Sequence, residues 1–365
     1  MRTGVANLPL HFGKAPRWLF SRMTKLARQI AIIIVEEHGP EEFIRKMSDP
    51  FWFQSFGCVL GFDWHSSGIT TTVCGAVKEG LKGLEKDIGI FVAGGKGGTS
   101  RKTPSEIEEF ANRIPIKTDP QSLIYASKMS AKVDNTALQD GYQLYHHNFI
   151  FTKSGLWTVV QQGMNTDNRW ARRYHWLSTD FNDFVCEPHS AICCDYKSIA
   201  FNMVAKESTK ARSVAAEVSR EKPVKVLKQI QSLRTLTMPA KHQIFFRDLR
   251  TESLGKVLLK TYEQQPSNFE ELLGIYGVGP KTVRALSLIA DLIYGARVSF
   301  KDPVKYSFAH GGKDGYPYPV DRVNYDTSIN ILRKAISAAK LGNSDKLDAL
   351  KRLTKFESKG GHIHV

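Results

Sequence analysis

Residues 142–164, YQLYHHNFIFTKSGLWTVVQQGM, carry the clearest β signal of the sequence. They form two runs of aromatic and β-branched residues on either side of Ser154-Gly155, which is typical of a β-hairpin. A two-residue turn there would place His147 opposite Gln162. The segment therefore predicts that the fold contains antiparallel strands.

Helical periodicity dominates the rest of the chain. Residues 17–37 place apolar side chains at helical spacing. The glycine-rich segment 92–104, VAGGKGGTSRKTP, lacks the glycine and serine or threonine spacing of a P-loop, so we predict a loop that does not bind ATP. Further helices are predicted over residues 197–219, 223–236, 251–264, 269–276, 280–294, 323–341 and 344–353.

The length and charge of the chain indicate two domains, one of them basic. The net charge is +15, and residues 201–365 hold 28 Lys and Arg against 16 Asp and Glu, which gives +12 for that half. Such an excess favours polyanionic partners. We therefore expect a mainly helical α+β fold, with a β-hairpin-containing N-terminal domain (1–195) and an all-helical C-terminal domain (196–365) carrying a helix-hairpin-helix.

The cysteines and the apolar runs indicate the compartment. Five cysteines contain no CxxC pair, so neither a disulfide framework nor a structural zinc site is predicted. The longest apolar run, IAIIIV at residues 30–35, is too short to cross a bilayer, and no secretory signal is visible. We expect a cytoplasmic, nucleoid-associated protein whose partner is duplex DNA and which has no contact with membranes.

Residues 269–295, FEELLGIYGVGPKTVRALSLIADLIYG, predict the helix-hairpin-helix. Gly277 and Gly279 allow a sharp turn and the close approach of another chain. Pro280 suits the first turn of the second helix, whose amide groups and dipole favour an anion. The motif is typical of a grip on the DNA backbone that does not read sequence. The expected DNA-binding residues here are Gly277, Gly279, Thr282, Arg284 and Arg322.

This segment resembles the helix-hairpin-helix DNA glycosylases of the endonuclease-three superfamily, which remove damaged bases. The resemblance lies in IYGVGPKTV and in YPVDR, which contains the Pro-Val-Asp element at residues 319–322. It implies that Lys281 attacks C1′ of a flipped nucleotide and that Asp321 stabilises the cationic sugar. The lysine and the aspartate lie further apart than in that family, which makes residues 296–317 an insertion. No iron–sulfur cluster is expected, because no cysteine follows Cys194.

Polar residues embedded in aromatic sequence in the first half allow a second interpretation. Clustered carboxylates and histidines could hold Mg²⁺ or Mn²⁺ for phosphodiester hydrolysis, although no recognised ligand spacing is present. The alternative is a set of buried polar groups that hydrogen-bond one another. The candidate residues are Asp63, His65, Asp134, Asp140, His146 and His147.

The segment NRWARRYHW, residues 168–176, combines arginines with aromatic residues. Arg169, Arg172 and Arg173 recur at helical spacing, so one face of a helix would contact phosphates while aromatic residues stack on bases. The alternative is a core helix with a solvated arginine edge. These three arginines complete the predicted DNA-binding set.

The chain as a whole resembles an uncharacterised family, domain of unknown function 763. The resemblance rests on RTGVANLPLHFGKAPRWL, DPFWFQ, FDWHSSG, QDGYQLYHH and RRYHW, and it implies no mechanism. The leading expectation is a DNA-repair enzyme, a base-excision glycosylase or abasic-site lyase that needs no cofactor. The alternatives are a metal-dependent, damage- or structure-specific endonuclease and a non-catalytic DNA-binding protein.

Overall fold

The computed structural model describes residues 15–62, 66–194, 197–233, 251–304 and 322–361. The helices in this part of the chain are α1 (Arg17–His38), α2 (Pro40–Ser48), α3 (Pro50–Leu60), α4 (Gly68–Leu81), α5 (Glu85–Ile88), α6 (Thr103–Arg113), α7 (Pro120–Lys132), α8 (Thr209–Ser219), α9 (Pro223–Leu233), α10 (Thr251–Gln264), α11 (Phe269–Gly274), α12 (Pro280–Leu292), α13 (Arg322–Ala338) and α14 (Asn343–Gly361). The strands are β1 (Ile90–Lys96), β2 (Leu138–Gln139), β3 (Gln143–Thr152), β4 (Trp157–Asn165), β5 (Trp170–Leu177), β6 (Ala191–Cys193) and β7 (Phe201–Asn202). Short 3₁₀ turns span Gly97–Lys102 and Lys206–Ser208, and a π turn spans Val133–Ala137.

The fold is α+β and mainly helical, as predicted. Its centre is a five-stranded antiparallel sheet in the order β1-β3-β4-β5-β6, and β2 pairs with β7 in a separate two-stranded ribbon. None of the described helices combines the length and apolar character that a bilayer crossing requires.

The turn between β3 and β4 differs from the predicted one by one residue. Its loop has three residues, 153–155, rather than two, and Gly155 adopts a left-handed conformation with φ of 92°. His147 therefore lies opposite Gln161 and not opposite Gln162. Because successive strand side chains alternate between faces, this register decides which polar groups share a face of the sheet.

Helices cover both faces of the sheet. Core one is the apolar cluster on the face that contains Phe149, Val159 and Trp176, and it includes side chains of α7, α8, α11 and α12. Core two is the cluster on the opposite face, built around Ile150 and Val160. Core two draws on α1 to α4 and on α13 and α14, so the first and the last of the described helices pack together.

Both cores contain residues from either side of residue 195. Core one joins Phe149 of the sheet to Leu286 of α12, and core two joins Met23 of α1 to Leu332 of α13. The described residues therefore share their cores across residue 195, and the domain boundary at that residue stays a prediction. The expectation that residues 196–365 are all helical is wrong, because β7 pairs with β2. A strand of two residues carries no periodic signal that the sequence could reveal.

The glycine-rich segment 92–104 is not a loop, which corrects the sequence prediction. Its first residues belong to the edge strand β1, and a 3₁₀ turn follows. Gly94, at φ of 87°, lies so close to β3 that an added Cβ would come within 2.3 Å of the His147 carbonyl oxygen. The glycine is thus required by the close pairing of two strands rather than by a flexible connection.

Residues 170–177 form strand β5 and not the predicted helix. Arg172 and Tyr174 point to the face of core one, whereas Arg173 and His175 point to the face of core two. Helices cover both faces, so the alternation of apolar and polar residues that marks a half-exposed strand is missing. The helical spacing of the arginines was therefore misleading.

Candidate functional site

The glycine hairpin, defined here as residues 269–292, consists of α11, a turn and α12. Asn268 begins α11 by accepting a hydrogen bond from the Glu271 amide on its side-chain oxygen (2.9 Å). Gly277 turns the chain with φ of 98°, which strongly favours glycine. Val278, next in the turn, is buried in core one and anchors the turn to the protein.

Helix α12 starts with backbone amides that have no acceptor within the helix. Its N-cap, Gly279, has an extended conformation and no side-chain cap. The first amide that bonds within the helix is that of Val283, which donates to the Gly279 carbonyl oxygen (3.1 Å). The amides of Lys281 and Thr282 therefore have no acceptor within the helix, and the helix dipole adds positive potential. The side chain of Lys281 is exposed at the same place.

One side chain fastens the start of α12 to the ribbon strand β2. The Gln139 amide donates from Nε2 to the Pro280 carbonyl oxygen (2.9 Å), and its Oε1 accepts a hydrogen bond from Arg284 Nε (2.9 Å). Arg284, a predicted DNA contact, is thus bonded within the protein, and Thr282 is buried. Lys281 remains exposed.

The turn also presents an aromatic side chain that is not among the predicted DNA contacts. Tyr276 is 84% exposed, and Lys260 Nζ of α10 lies 4.7 Å from the centre of its ring. An exposed aromatic ring beside a cation is suited to stacking and to phosphate contact. A tyrosine just before a turn glycine gives no sequence signal of this kind, because its exposure depends on the packing of α10 against the hairpin.

Arg172, a predicted DNA contact, is fully buried in an ion triad. It donates to Asp140 Oδ2 and to Asp302 Oδ2, each at 2.8 Å. Burial by itself lowers the pKa of this guanidinium, but the charges around it, of which Asp140 is the largest contributor, together more than offset burial, and the net pKa is raised. Arg172 holds two buried carboxylates in place and has no surface from which to contact DNA.

Arg173 is equally buried, on the other face of the sheet. Its Nη1 donates to Gln54 Oε1 (3.1 Å), and its guanidinium lies 4.6 Å from the centre of the Phe53 ring. Arg169 differs, because it is exposed in the β4–β5 turn at φ of 60°. The prediction that Arg172 and Arg173 contact DNA is therefore wrong, and it stays a prediction for Arg169.

A second group of functional side chains lies inside core one, around Asp134. Three donors converge on its carboxylate: Gln161 Nε2 (2.6 Å), Trp176 Nε1 (2.9 Å) and His189 Nε2. Asp134 is fully buried at the π turn that follows α7. An acceptor-only carboxylate satisfies all three donors, which fixes the orientation of the Gln161 amide.

His147 extends this network towards α7. Its Nδ1 lies 2.9 Å from Gln161 Oε1, and its Nε2 lies 2.8 Å from Ser127 Oγ. Since Gln161 offers an oxygen, Nδ1 carries the proton and Nε2 accepts from the Ser127 hydroxyl. Burial lowers the pKa of His147, although the Gln161 bond and the Asp134 charge oppose this, so the imidazole is neutral. The result is a directed chain from Ser127 to Asp134.

The adjacent His146 has a different environment. It is 1% exposed, and neither ring nitrogen has a hydrogen-bond partner among the described residues. Burial is the main cause that lowers its pKa from 6.5 to about 3, and the neighbouring side chains of His147 and Lys96 add to the effect.

Those residues of the metal interpretation that the structure describes do not come together as one cluster. Asp134 and His147 belong to the network in core one, whereas Asp140 pairs with Arg172. Within the described ranges no group of three or more His, Cys, Asp or Glu side chains is placed to hold a metal ion.

Four other predicted site elements lie outside the described part of the chain. They are Asp63, His65, Asp321 with the rest of the Pro-Val-Asp element, and the side chain of Arg322.

Comparison with known proteins identifies the family. No curated protein and no solved structure has detectable similarity to the chain. The family described as Protein of unknown function (DUF763) matches residues 4–320. This span includes the five-stranded sheet, the residues of core one and the glycine hairpin. The chain therefore belongs to the DUF763 family.

Proposed function

We propose that this protein binds the backbone of damaged duplex DNA through the glycine hairpin and acts on it as a base-excision glycosylase or abasic-site lyase. The observation that supports the proposal is the start of α12, where exposed Lys281 stands beside amides that have no acceptor within the helix. A phosphate accepts hydrogen bonds from such amides and is further stabilised by the helix dipole.

The charge distribution supports a polyanionic partner. Residues 201–365 carry +12, and exposed Tyr276 with neighbouring Lys260 lies at the tip of the same turn. Each phosphate that a cation neutralises releases counterions, so binding should weaken steeply with salt. Removal of Lys281 should reduce the slope of log K against log salt by about 0.9.

The chemistry assigned to Lys281 is nucleophilic. Its amine attacks C1′ of the damaged nucleotide, expels the base or opens the abasic sugar, and forms a Schiff base that permits β-elimination of the 3′ phosphate. In this proposal Asp321 stabilises the positive charge that develops on the sugar. The scheme needs neither a metal ion nor an iron–sulfur cluster.

The experiment is covalent trapping with sodium borohydride on duplexes that carry an abasic site or an oxidised pyrimidine, with EDTA present. Wild-type protein is expected to form a protein–DNA adduct, and Lys281→Ala is expected to form none while binding duplex within a few-fold. Lys256→Ala, which removes an exposed lysine from the neighbouring helix α10, is the matched control and should be trapped normally.

Other outcomes would replace the proposed chemistry. Cutting that requires added Mg²⁺ or Mn²⁺, with no adduct, would assign the reaction to a metal-dependent endonuclease. Salt-dependent binding without adduct or cutting would assign the protein to the non-catalytic DNA-binding class. An adduct that survives in Lys281→Ala would show that another amine is the nucleophile.

A further inference from the structure

A cavity of about 200 Å³ lies between the 3₁₀ turn Gly97–Lys102, α7 and β3. The pair Ser127 and His147 lines it, and the exposed residues Arg101 and Lys128 stand at its edge. No acidic residue is among the described residues that line it. The cavity is therefore suited to an anionic group.

The hydrogen-bond chain behind the cavity gives Ser127 a fixed role. Asp134 accepts from the Gln161 amide, Gln161 Oε1 then accepts from His147 Nδ1, and His147 Nε2 accepts the Ser127 proton. Because the Ser127 hydroxyl donates its proton to Nε2, it cannot donate to a second acceptor. The lone pairs of the Ser127 oxygen remain free for bonding. A hydroxyl so arranged is poised to attack an electrophilic atom.

This arrangement has the features of an activated nucleophile. Nucleophile and base lie within hydrogen-bond reach at 2.8 Å, and a third group, Gln161, orients the base. His147 is neutral, so Nε2 is available to take up a proton. Structural hydrogen bonds alone do not require that such a pair line a cavity with a basic edge.

We propose that this cavity is a second catalytic site, in which Ser127 Oγ attacks the phosphorus of a phosphate monoester held by Arg101 and Lys128. His147 is the general base, and Gln161 is a positioning residue that acts through His147. The proposal uses none of the hairpin residues and does not depend on the proposed DNA glycosylase or lyase activity.

The reaction balances with water as the sole co-reactant. In the first step the Oγ–P bond forms and the bond from phosphorus to the ester oxygen breaks. The Ser127 proton moves to His147 Nε2, and the alkoxide, which departs on the opposite side of phosphorus, takes a proton from water and leaves as an alcohol. The hydroxide so formed takes up the proton from Nε2. In the second step a water oxygen bonds to phosphorus and the Oγ–P bond breaks. A proton of that water passes through Nε2 to Ser127 Oγ, and inorganic phosphate leaves.

The experiment measures turnover and covalent capture on the full chain. The probes are p-nitrophenyl phosphate and two oligonucleotides, one with a 3′ and one with a 5′ terminal phosphate. These arms distinguish a free small monoester from the phosphate of a DNA end. After an acid quench, mass spectrometry searches for phosphate on the peptide that contains Ser127.

The wild type is expected to release phosphate from at least one probe and to carry phosphate on Ser127. Ser127→Ala should show neither, and His147→Gln should lose about 10²- to 10⁴-fold in rate, the usual contribution of a general base. The matched control is Ser130→Ala, on the same helix, whose hydroxyl donates to the Ser127 carbonyl oxygen and not to His147. It should turn over normally.

Circular dichroism and thermal melts of each variant separate loss of chemistry from loss of folding. Gln161→Leu adds a readout that a structural role would not change, because it should lower kcat while leaving KM the same. Absence of turnover and of phosphoserine from the wild type with all three probes would overturn the proposal. Normal turnover by folded Ser127→Ala would do the same.

Discussion

His146 is expected to make the protein sensitive to mild acid. Its ring is buried, and its pKa falls from 6.5 to about 3 on folding. A histidine whose folded pKa is depressed contributes stability above its unfolded pKa, and the contribution is lost as the pH falls towards the folded pKa. The sensitive window therefore runs from about pH 6.5 down to about pH 3. Between about pH 7.5 and about pH 4.5, this single group should lower the free energy of unfolding by about 2.7 kcal/mol.

The substitution His146→Phe isolates this effect. At about pH 7.5 the variant should be at least as stable as the wild type, because neither ring nitrogen loses a described partner. Urea denaturation of both proteins at the two pH values gives four free energies of unfolding. The difference between the proteins should grow by about 2.7 kcal/mol at the lower pH. Parallel loss of stability in both would refute the reasoning, since other groups would then account for the acid sensitivity.

Three further substitutions test the hairpin and the ion triad. Gly277→Ala should cost about 1 to 2 kcal/mol of stability, measured by urea denaturation, because φ is 98°. Gly279 has φ of −132°, and only the Gly277 carbonyl oxygen lies near an added Cβ. Gly279→Ala should therefore keep its stability but lose DNA affinity in salt titrations. Equal destabilisation by the two glycine substitutions would contradict this. Arg172→Met should cost about 3 to 5 kcal/mol in thermal or urea denaturation, because it leaves the buried carboxylates of Asp140 and Asp302 without their cation. A cost below about 1 kcal/mol would show that the triad contributes little.

The sequence predicts local structure well where a single periodicity is undisturbed. The β3–β4 hairpin and the helices α11 and α12 are visible because turn glycines separate regular apolar runs. The register of the hairpin is not visible, since it depends on whether the loop has two or three residues. That one residue changes the partner of His147 from Gln162 to Gln161.

The buried network could be predicted only in part. Asp134 and His147 stand out as polar residues within aromatic sequence, but Ser127 and His189 carry no such mark. They join the network because α7 packs across the sheet and because the segment before β6 returns to Asp134. Contacts between residues so distant in sequence are set by tertiary packing. The spacing of residues along the sequence does not reveal such packing.

The two adjacent arginines of β5 also bear on how the sheet assembles. Arg172 meets two carboxylates on one face, whereas Arg173 meets the amide of Gln54 and an aromatic ring on the other. Shape alone would tolerate a slip of β5 by one residue, because each face would still receive an arginine. A slip that moved Ala171 into the place of Arg172 would instead be opposed by charge, since the buried acids Asp140 and Asp302 would lose their cation. The arginine pair thus favours the native register of β5 over a register shifted by one residue during folding.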